Sequence, residues 1–425
     1  MLYERWLETV DRQRSKLALM EFGTGQSWTF EALQTECEQC VREGVQEGSL
    51  ASATGGGLEF VLGVLRGWRL GIPVCPLERG QAAPLGMLAP KGTAHVKSTS
   101  ATTSSARWVC FTEAQLAADV DALVPAMGLR GDAPNLAVIS MAHSYGFSNL
   151  VMPLLLHGVP LVTGVERLPG ALARASACFE AVTLPAVPAL WSAWHTAGAI
   201  PGNARVAISA GAPLPLPLDE DVFRQYGLKI HNFYGSTECG GIAYDDSQRP
   251  REDPWVVGRA LPGRTLSMGE AGNLVVEGAS VGLGYWPEAP SAMGMGRFET
   301  SDAVRLEQGI VRWLGRLNDT INVAGRKLHP EVVERVLAGC PDVREVAVFG
   351  VTSLHASRGD EVVACWAGGE GSDELRIKDH ATRQLEDWQV PRHWVRVGRL
   401  PVNERGKISR SELRARWQRG ESLED

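Results

Sequence analysis

Helical stretches and short apolar strands alternate through the first half of this chain, and that alternation limits its folds more than any other feature. Thr29 to Val45 has the spacing of an amphipathic helix with Thr29 as its cap. Leu58 to Leu70 reads as a second helix and runs into the apolar strand Ile72–Leu77. The order recurs around Leu150–Val162, and again where Ala204–Ser209 leads through a helix-like stretch to Leu228–Phe233. Such alternation predicts an α/β domain with parallel sheet flanked by helices. From Val256 to Val311 the texture changes to strand-like pieces broken by glycine, the pattern of a small β subdomain. After Gly315 it changes again. His329-Pro330-Glu331 opens a helix through Leu337, with proline at a favourable early position. Two strand-like runs (REVAVFGV and EVVACWAG), a helix near Glu374–Leu385 and a basic helix from Ser409 complete the pattern. This tail, about 110 residues long, has the size of a separate α+β domain.

With 425 residues the chain has material for two or three domains. Its 42 Lys+Arg against 49 Asp+Glu give a formal charge of −7. That balance excludes dominant non-specific attraction to a nucleic acid polymer or an anionic membrane. No apolar run is long enough for a membrane span. The charged start MLYERWLETVDRQRSK does not read as a secretory signal. Eight scattered cysteines suit reduced thiols and a cytoplasmic setting. The CxxC of Cys37 and Cys40 lies in a helical pattern with no second pair, and reads as structural thiols rather than a zinc site.

Three constellations could carry chemistry. His231 to Gly241 (HNFYGSTECGG) runs an apolar strand into a tyrosine, two hydroxyls and a carboxylate. Tyr can stack on a base, Thr can donate to a phosphate and Glu can hold Mg²⁺. Taken alone, the stretch reads first as a strand end followed by a polar turn. Thr300-Ser301-Asp302, followed by Gly309–Asp319, sets an Asp beside an Arg in a turn, a grip for vicinal hydroxyls or a surface ion pair. Pro401–Arg410 places Lys407 in a glycine-containing loop before a helix, where most lysines are solvated charges.

Together, in order and spacing, the three resemble the adenylate-forming superfamily of acyl- and aryl-CoA synthetases, peptide-synthetase adenylation domains and luciferases. The family's YGxTE signature is matched by Tyr234, Gly235, Thr237 and Glu238, and its T-G-D appears as Thr300-Ser301-Asp302. Its G-R-x-D segment and following helix correspond to Gly315-Arg316 through Glu334, and P-x-x-x-x-G-K-x-x-R is matched by Pro401, Gly406, Lys407 and Arg410. Ser209–Leu214 is similar to its adenine-contacting S-G-G-A-P-L. YGSTECGGIA further resembles ligases of aryl-polyene-type pigment synthesis, which activate an aromatic or fatty acid.

The resemblance implies a large N-terminal domain over residues 1–316, with a shortened N-terminal subdomain, and a small mobile C-terminal domain over 317–425. It implies ATP-dependent activation of a small carboxylic acid through an acyl-adenylate, with release of pyrophosphate. Acyl transfer to a thiol follows, on CoA or on the phosphopantetheine of an acyl carrier protein. Lys407 would neutralise the reacting carboxylate and the bridging oxygen, Glu238 would hold Mg²⁺, and Thr237 would bond the α-phosphate. Asp302 would bind the ribose with Arg316 beside it, while Tyr234 and Gly211-Ala212-Pro213 would wall the adenine and Gly235 would also bind the nucleotide. His143, in His143-Ser144-Tyr145-Gly146, matches an H-x-x-G whose histidine borders the acyl pocket, and His143 or Tyr145 could pair with a polar-headed aromatic acid. Asn318 occupies the usual hinge position, and the segment around Gly325 would meet the pantetheine arm. Arg326, Lys327, Arg335 and Arg344 could serve CoA or an acidic carrier, or be plain solvated charges. A homodimer is a fair prior.

One segment departs from the pattern. The family's phosphate loop, roughly T-S-G-T-T-G-x-P-K/R, corresponds to Thr99-Ser100-Ala101-Thr102-Thr103-Ser104-Ser105-Ala106-Arg107. Ser100, Thr102, Thr103 and the terminal cation are kept, but both glycines and the proline are absent. Glycine there lets backbone N–H groups approach phosphate. The loss opens an alternative: a degenerate homologue that binds nucleotide or adenylate without efficient turnover.

Overall fold

The structure, a computed structural model, describes residues 1–39, 50–84, 89–99, 107–287, 293–353, 359–401 and 409–423. Contacts divide the chain into two units. One comprises Met1–Ser267, Val275–Thr300 and Leu306–Arg312; the other comprises Met268–Leu274, Ser301–Arg305 and Trp313–Asp425. Among the described residues no helix is long and apolar enough to cross a membrane.

The first unit begins with strands β1 (Leu17–Glu21), β2 (Gln26–Thr29), β3 (Ala51–Thr54), β4 (Val74–Leu77), β5 (His95–Ser98) and β6 (Trp108–Phe111). It continues through β7 (Asn135–Leu136), β8 (Leu161–Thr163), β9 (Val182–Ala186), β10 (Ala204–Ser209), β11 (Ile230–Ser236), β12 (Gly240–Tyr244) and β13 (Val256–Ala260). The glycine-broken stretch, whose residues are divided between the two units, supplies β14 (Arg264–Met268), β15 (Asn273–Gly278), β16 (Gly284–Trp286), β17 (Met293–Gly294), β18 (Arg297–Glu307) and β19 (Ile310–Arg316). One sheet includes the order β2-β1-β8-β7-β9-β10-β11-β12-β13-β19. Its pairs from β1 through β8, β7, β9 and β10 to β11 are parallel. From β11 to β19 the pairing is antiparallel. A second sheet, β3-β4-β5-β6-β16, begins parallel and ends antiparallel.

The mixed α/β architecture is the one the alternation predicts, and every residue of β9 is buried, as parallel strands covered on both faces require. Behind this sheet Trp191 and Trp194 pack edge to face at 5.4 Å, and the Trp191 indole donates to the Ile208 carbonyl at 3.1 Å. The helix expected from Thr29 spans Phe30–Gln39, and the Thr29 hydroxyl accepts from the Ala32 amide at 3.1 Å, so the cap is real. Around Leu150 the chain coils as two π-helical turns, Phe147–Val151 and Pro153–His157, before β8. All of their residues but His157 are buried, so this segment has no solvent-facing side. Strands β5 and β6 escape the sequence pattern because β5 buries His95 and Lys97.

The second unit holds the hairpin β20 (Ile321–Val323) and β21 (Arg326–Leu328), and a sheet of β22 (Glu345–Thr352), β23 (Asp360–Ala367) and β24 (His393–Arg396). Helices Pro330–Ala338, Glu374–Gln384 and Arg410–Arg419 begin within a residue or two of their expected starts. Alternate residues of β22 face opposite cores. Val348 joins Val333, Leu337, Trp366 and Ile377, whereas Ala347 and Phe349 join Val363, Leu400 and Leu413.

Beside the first of these cores lies an ionic cluster. Arg410 bonds Glu334 bidentately at 3.1 and 2.6 Å, Asp319 at 2.9 Å and Glu331 at 2.7 Å. Burial opposes the Arg410 charge, but the carboxylates of Glu334, Glu331 and Asp319 outweigh it and hold its pKa above the ordinary value. One Glu331 oxygen is buried without a partner. Burial pushes the Glu331 pKa up to about 7, with Arg410 pulling it down and Glu334 pushing it further up. A raised carboxyl pKa means that the folded state binds the proton more tightly. Stability contributed by this group is therefore full below about pH 4.5 and falls as pH rises toward 7, by about 3 kcal/mol. Glu331→Gln is expected to flatten that decline. The check is hydrogen exchange of the Pro330–Ala338 helix amides between pH 5 and 7.5, corrected for intrinsic rates. An unchanged pH slope would reject this account.

Candidate functional site

Loops leaving the C-terminal ends of β9, β10 and β11 gather the first group of predicted residues. After β10, the Ala210 amide donates to the Ala186 carbonyl at the end of β9, and Gly211, Ala212 and Pro213 are exposed before Leu214 turns inward. After β11, Tyr234 is half-buried and Gly235 exposed. Tyr145 fastens this edge from below. Its hydroxyl donates to the carbonyls of Ala186 and Ile208 at 3.3 and 3.4 Å, and its ring lies 5.8 Å from Phe233. Burial raises its pKa well above the usual phenol value. The Tyr145 hydroxyl, read from sequence as open to a polar-headed acid, is thus committed to backbone.

Thr237, Glu238 and Cys239 form the turn between β11 and β12. The Glu238 amide donates to Ser236 Oγ at 3.2 Å, and the Glu238 carbonyl accepts from the Gly282 amide at 2.9 Å. Ser280 Oγ donates to the Cys239 carbonyl at 2.8 Å. A side chain at Gly235 would bring a Cβ within 2.6 Å of the Gly240 carbonyl, so the hairpin closes only around glycine there. Tyr285, on β16, donates its hydroxyl to Glu238 Oε1 at 2.9 Å. Burial, and then the Glu238 carboxylate, push the Tyr285 pKa far up. The Arg107 guanidinium stands 5.8 Å from the Tyr285 ring. Sequence reasoning missed Tyr285, since GLGYW gives only a strand signal and nothing local ties it to a residue 47 positions away.

Glu238 presents a half-buried carboxylate with one oxygen fixed by a phenol. That suits a hard cation taking one protein carboxylate and completing its shell with phosphate oxygens and water. No group of three His, Cys, Asp or Glu that could hold a metal occurs among the described residues. The residues present therefore fit Mg²⁺ arriving on a phosphate.

His143 caps the short turn Ser144–Gly146, and its Nε2 lies 3.3 Å from Glu78 Oε1. Its side chain is 35% exposed. Glu78 lines an open cleft of about 510 Å³ with Thr54, Gly55, Gly56, Glu59 and Arg79.

The second unit carries the other predicted residues. Asp302 and Arg316 are brought together as an ion pair, Nε to Oδ1 at 3.7 Å, with side-chain exposures of 14% and 50%. They sit on the neighbouring strands β18 and β19, not in a turn as the sequence read. Asn318 is exposed in the single 3₁₀ turn Leu317–Asp319. Gly325 is exposed at the tip of the β20–β21 hairpin, where Ala324 and Gly325 both take positive φ (50° and 85°), the backbone of a two-residue hairpin turn. Its amide donates to Asn322 Oδ1 at 3.0 Å. The Arg326 guanidinium lies 5.3 Å from the Trp388 ring. Ser100, Thr102, Thr103, Gly406 and Lys407 lie outside the described residues.

Comparison with known proteins gives a consistent result. The model of the family described as AMP-binding enzyme matches residues 82–286, and that of its C-terminal domain matches 332–407. Novobiocin biosynthesis protein H of Streptomyces niveus is 28% identical over 79% of this chain. The p-hydroxybenzoic acid–AMP ligase FadD22 of Mycobacterium tuberculosis is 29% identical over 79%. The chain spans 58% and 51% of the lengths of those two relatives. ATP-bound MatB from Rhodopseudomonas palustris shares the fold at a TM-score of 0.87 and 21% identity, with 98% of each chain covered. MenE of Bacillus subtilis, in complex with ATP and magnesium ion, gives 0.80 at 19% identity, over 96% of this chain and 98% of the other.

The packing of the hairpin makes one stability prediction. Gly235→Ala should cost about 1–3 kcal/mol, because the turn must open to admit a methyl group. Urea unfolding followed by fluorescence measures it, and a midpoint equal to wild type would refute the close approach.

Proposed function

Because this chain belongs to the AMP-binding enzyme family, we propose that it activates a carboxylic acid with ATP and passes the acyl group to a thiol. The observation that carries the reading is the Tyr234–Glu238 hairpin at the C-terminal end of a parallel strand, with its carboxylate oriented by Tyr285. The proposed substrate class is an aromatic acid. Support comes from relatives described as p-hydroxybenzoic acid–AMP ligase, feruloyl-CoA synthase and 2-succinylbenzoate–CoA ligase. A fatty acid is the second class to test. The acceptor is CoA or the phosphopantetheine of a carrier protein. The alternative, nucleotide binding without efficient turnover, draws no support from these relatives.

In the first half-reaction a carboxylate oxygen of the acid attacks the α-phosphorus of ATP. The bond from that phosphorus to the bridging oxygen breaks, and pyrophosphate leaves. Two anions must meet, so positive charge has to be in place beforehand. Lys407 is assigned to the carboxylate and the bridging oxygen. Thr237 is assigned a hydrogen bond to the α-phosphate, and Glu238 the metal site. Mg²⁺, when bound, neutralises phosphate charge. Tyr234 and the exposed Gly211-Ala212-Pro213 face wall the adenine, Asp302 and Arg316 take the ribose hydroxyls, and His143 borders the acid. Ser100, Thr102, Thr103 and Arg107 belong to the phosphate loop. In the second half-reaction the thiol sulfur attacks the acyl carbon and AMP leaves, with Gly325 assigned to the pantetheine arm. We assign residues 1–316 and 317–425 as the two domains, and Asn318 as the hinge between half-reactions. Exposure of Asn318, between Gly315 and the anchored Asp319, supports that assignment.

The deciding assay is acid-dependent pyrophosphate release with MgATP across benzoates, cinnamates and fatty acids. A benzoate or cinnamate should give signal, and Lys407→Ala should lower kcat by about 100-fold or more. Equal rates for wild type and variant would sink the proposal. Tyr285→Phe should raise the Mg²⁺ concentration for half-maximal rate about 10-fold while leaving the KM of the acid near wild type. A shift confined to the acid KM would remove Tyr285 from the metal site.

A further inference from the structure

Beneath the Thr237–Cys239 turn lies a buried carboxylate to which no role has been given. Asp119 sits in the helix Glu113–Met127 and is 4% exposed. Its Oδ1 accepts from the Gly241 amide at 2.9 Å and from Arg264 Nη2 at 3.1 Å, and its Oδ2 accepts from Ser148 Oγ at 2.8 Å. Arg264 Nε in turn donates to the Gly241 carbonyl at 3.0 Å, so both backbone polar groups of Gly241 are tied to one ion pair. Lys97, also buried, donates to Ser148 Oγ at 3.4 Å. Burial works against the Lys97 charge, and Asp119 is the carboxylate that opposes this loss.

The backbone is shaped around that carboxylate. Gly240 takes φ +71°, and a Cβ there would fall on the Asp119 carboxyl group. At Gly241 a Cβ would come within 2.6 Å of Leu261 and 2.9 Å of Phe233. Gly240 therefore lets the hairpin settle on Asp119, and Gly241 lets it close on Leu261 and Phe233, immediately after Glu238 and Cys239. A buried ion pair of this kind adds little net stability over apolar packing, because desolvation offsets the attraction. What it supplies is geometry, since each donor must approach from a set direction.

The turn carrying Thr237 and Glu238 springs from backbone held by this network. We propose that Asp119 is a positioning residue of the ATP site, holding the Thr237–Cys239 turn through Gly241 and Arg264 and reaching β5 through Ser148 and Lys97. This rests on the function proposed above. Asp119 acts through the turn, so its removal should weaken what Thr237 and Glu238 hold more than what the adenine wall holds.

The test compares calorimetric affinities of full-length wild type, Asp119→Asn and Ser148→Ala for two probes: MgATP, and AMP in the presence of a magnesium chelator. Both variants should bind MgATP about 10-fold more weakly while keeping AMP affinity within about threefold. MgATP affinity within threefold of wild type in both variants overturns the proposal. So does equal weakening toward both probes, which is what general disruption of the fold would give. If Asp119→Asn does not fold, Ser148→Ala, which removes a single hydroxyl, decides by the same criteria. Binding needs no turnover. Wild type that binds MgATP but releases no pyrophosphate with any acid would reject the proposed function and leave this comparison readable.

Discussion

Parallel pairing of β9, β10 and β11 decides where this protein can do chemistry. Once these strands run side by side with helices returning over their faces, the loops at their C-terminal ends open along one edge. Gly211–Pro213 and Tyr234–Glu238 leave from adjacent strand ends for that reason alone. Tyr145 fixes the edge with a hydroxyl shared between the Ala186 and Ile208 carbonyls, so the loops start from rigid points. Rigidity would serve the proposed reaction, because a transition state that gathers two anions is stabilised by groups already in place.

After β11 the topology switches from parallel to antiparallel, and this gives the turn its character. A further helix crossover would have carried the chain away from the edge. Instead β12 folds straight back, which sets Thr237 and Glu238 at a hairpin tip. The second sheet then braces that tip from outside its own strand order. Its β16 carries Tyr285 to Glu238, and Arg107, just before β6, stands over the same phenol. Arg107 ends the loop that lacks the usual glycines. Arg107 thus stands beside the residue whose hydroxyl orients Glu238, the carboxylate proposed for the metal.

Much of this was legible in the sequence, for identifiable reasons. Helices with capping residues and apolar stripes appear close to their expected places, since Thr29 and Ser409 bond their own helix starts. β10 and the start of β11 were readable as the apolar runs Ala204–Ser209 and Leu228–Phe233, whereas β9 was not singled out although every one of its residues is buried. β5 was not, because it buries a histidine and a lysine, and burial of Lys97 makes sense only once Asp119 and Ser148 are beside it. The same limit hid Tyr285, Asp119 and Arg264. Each acts on the turn from 23 to 122 residues away, through single hydrogen bonds that leave no local pattern. Asp302 and Arg316 were paired correctly but placed in a turn, because spacing along the chain does not show that two strands lie side by side.

Each unit repeats one device with the charges exchanged. In the first, the buried Asp119 carboxylate gathers Arg264, the Ser148 hydroxyl and the Gly241 amide, and Gly240 leaves room for it. In the second, Arg410 gathers Glu334, Glu331 and Asp319, and a Cβ at Gly315 would fall on the Glu331 carboxylate. Neither cluster is an efficient source of stability, because desolvation of buried ions consumes most of what their attraction returns. Both are efficient at fixing backbone, since displacing either chain strands a charge. In the second unit the backbone so fixed is specific. Arg410 follows Lys407 by three residues, and Asp319 follows Asn318 directly. The lysine assigned to the first half-reaction and the hinge assigned to the switch between half-reactions are therefore tied, at one end each, to the same guanidinium. A rotation about the proposed hinge Asn318 would carry with it the helix that Arg410 begins, because Arg410 holds the neighbouring Asp319.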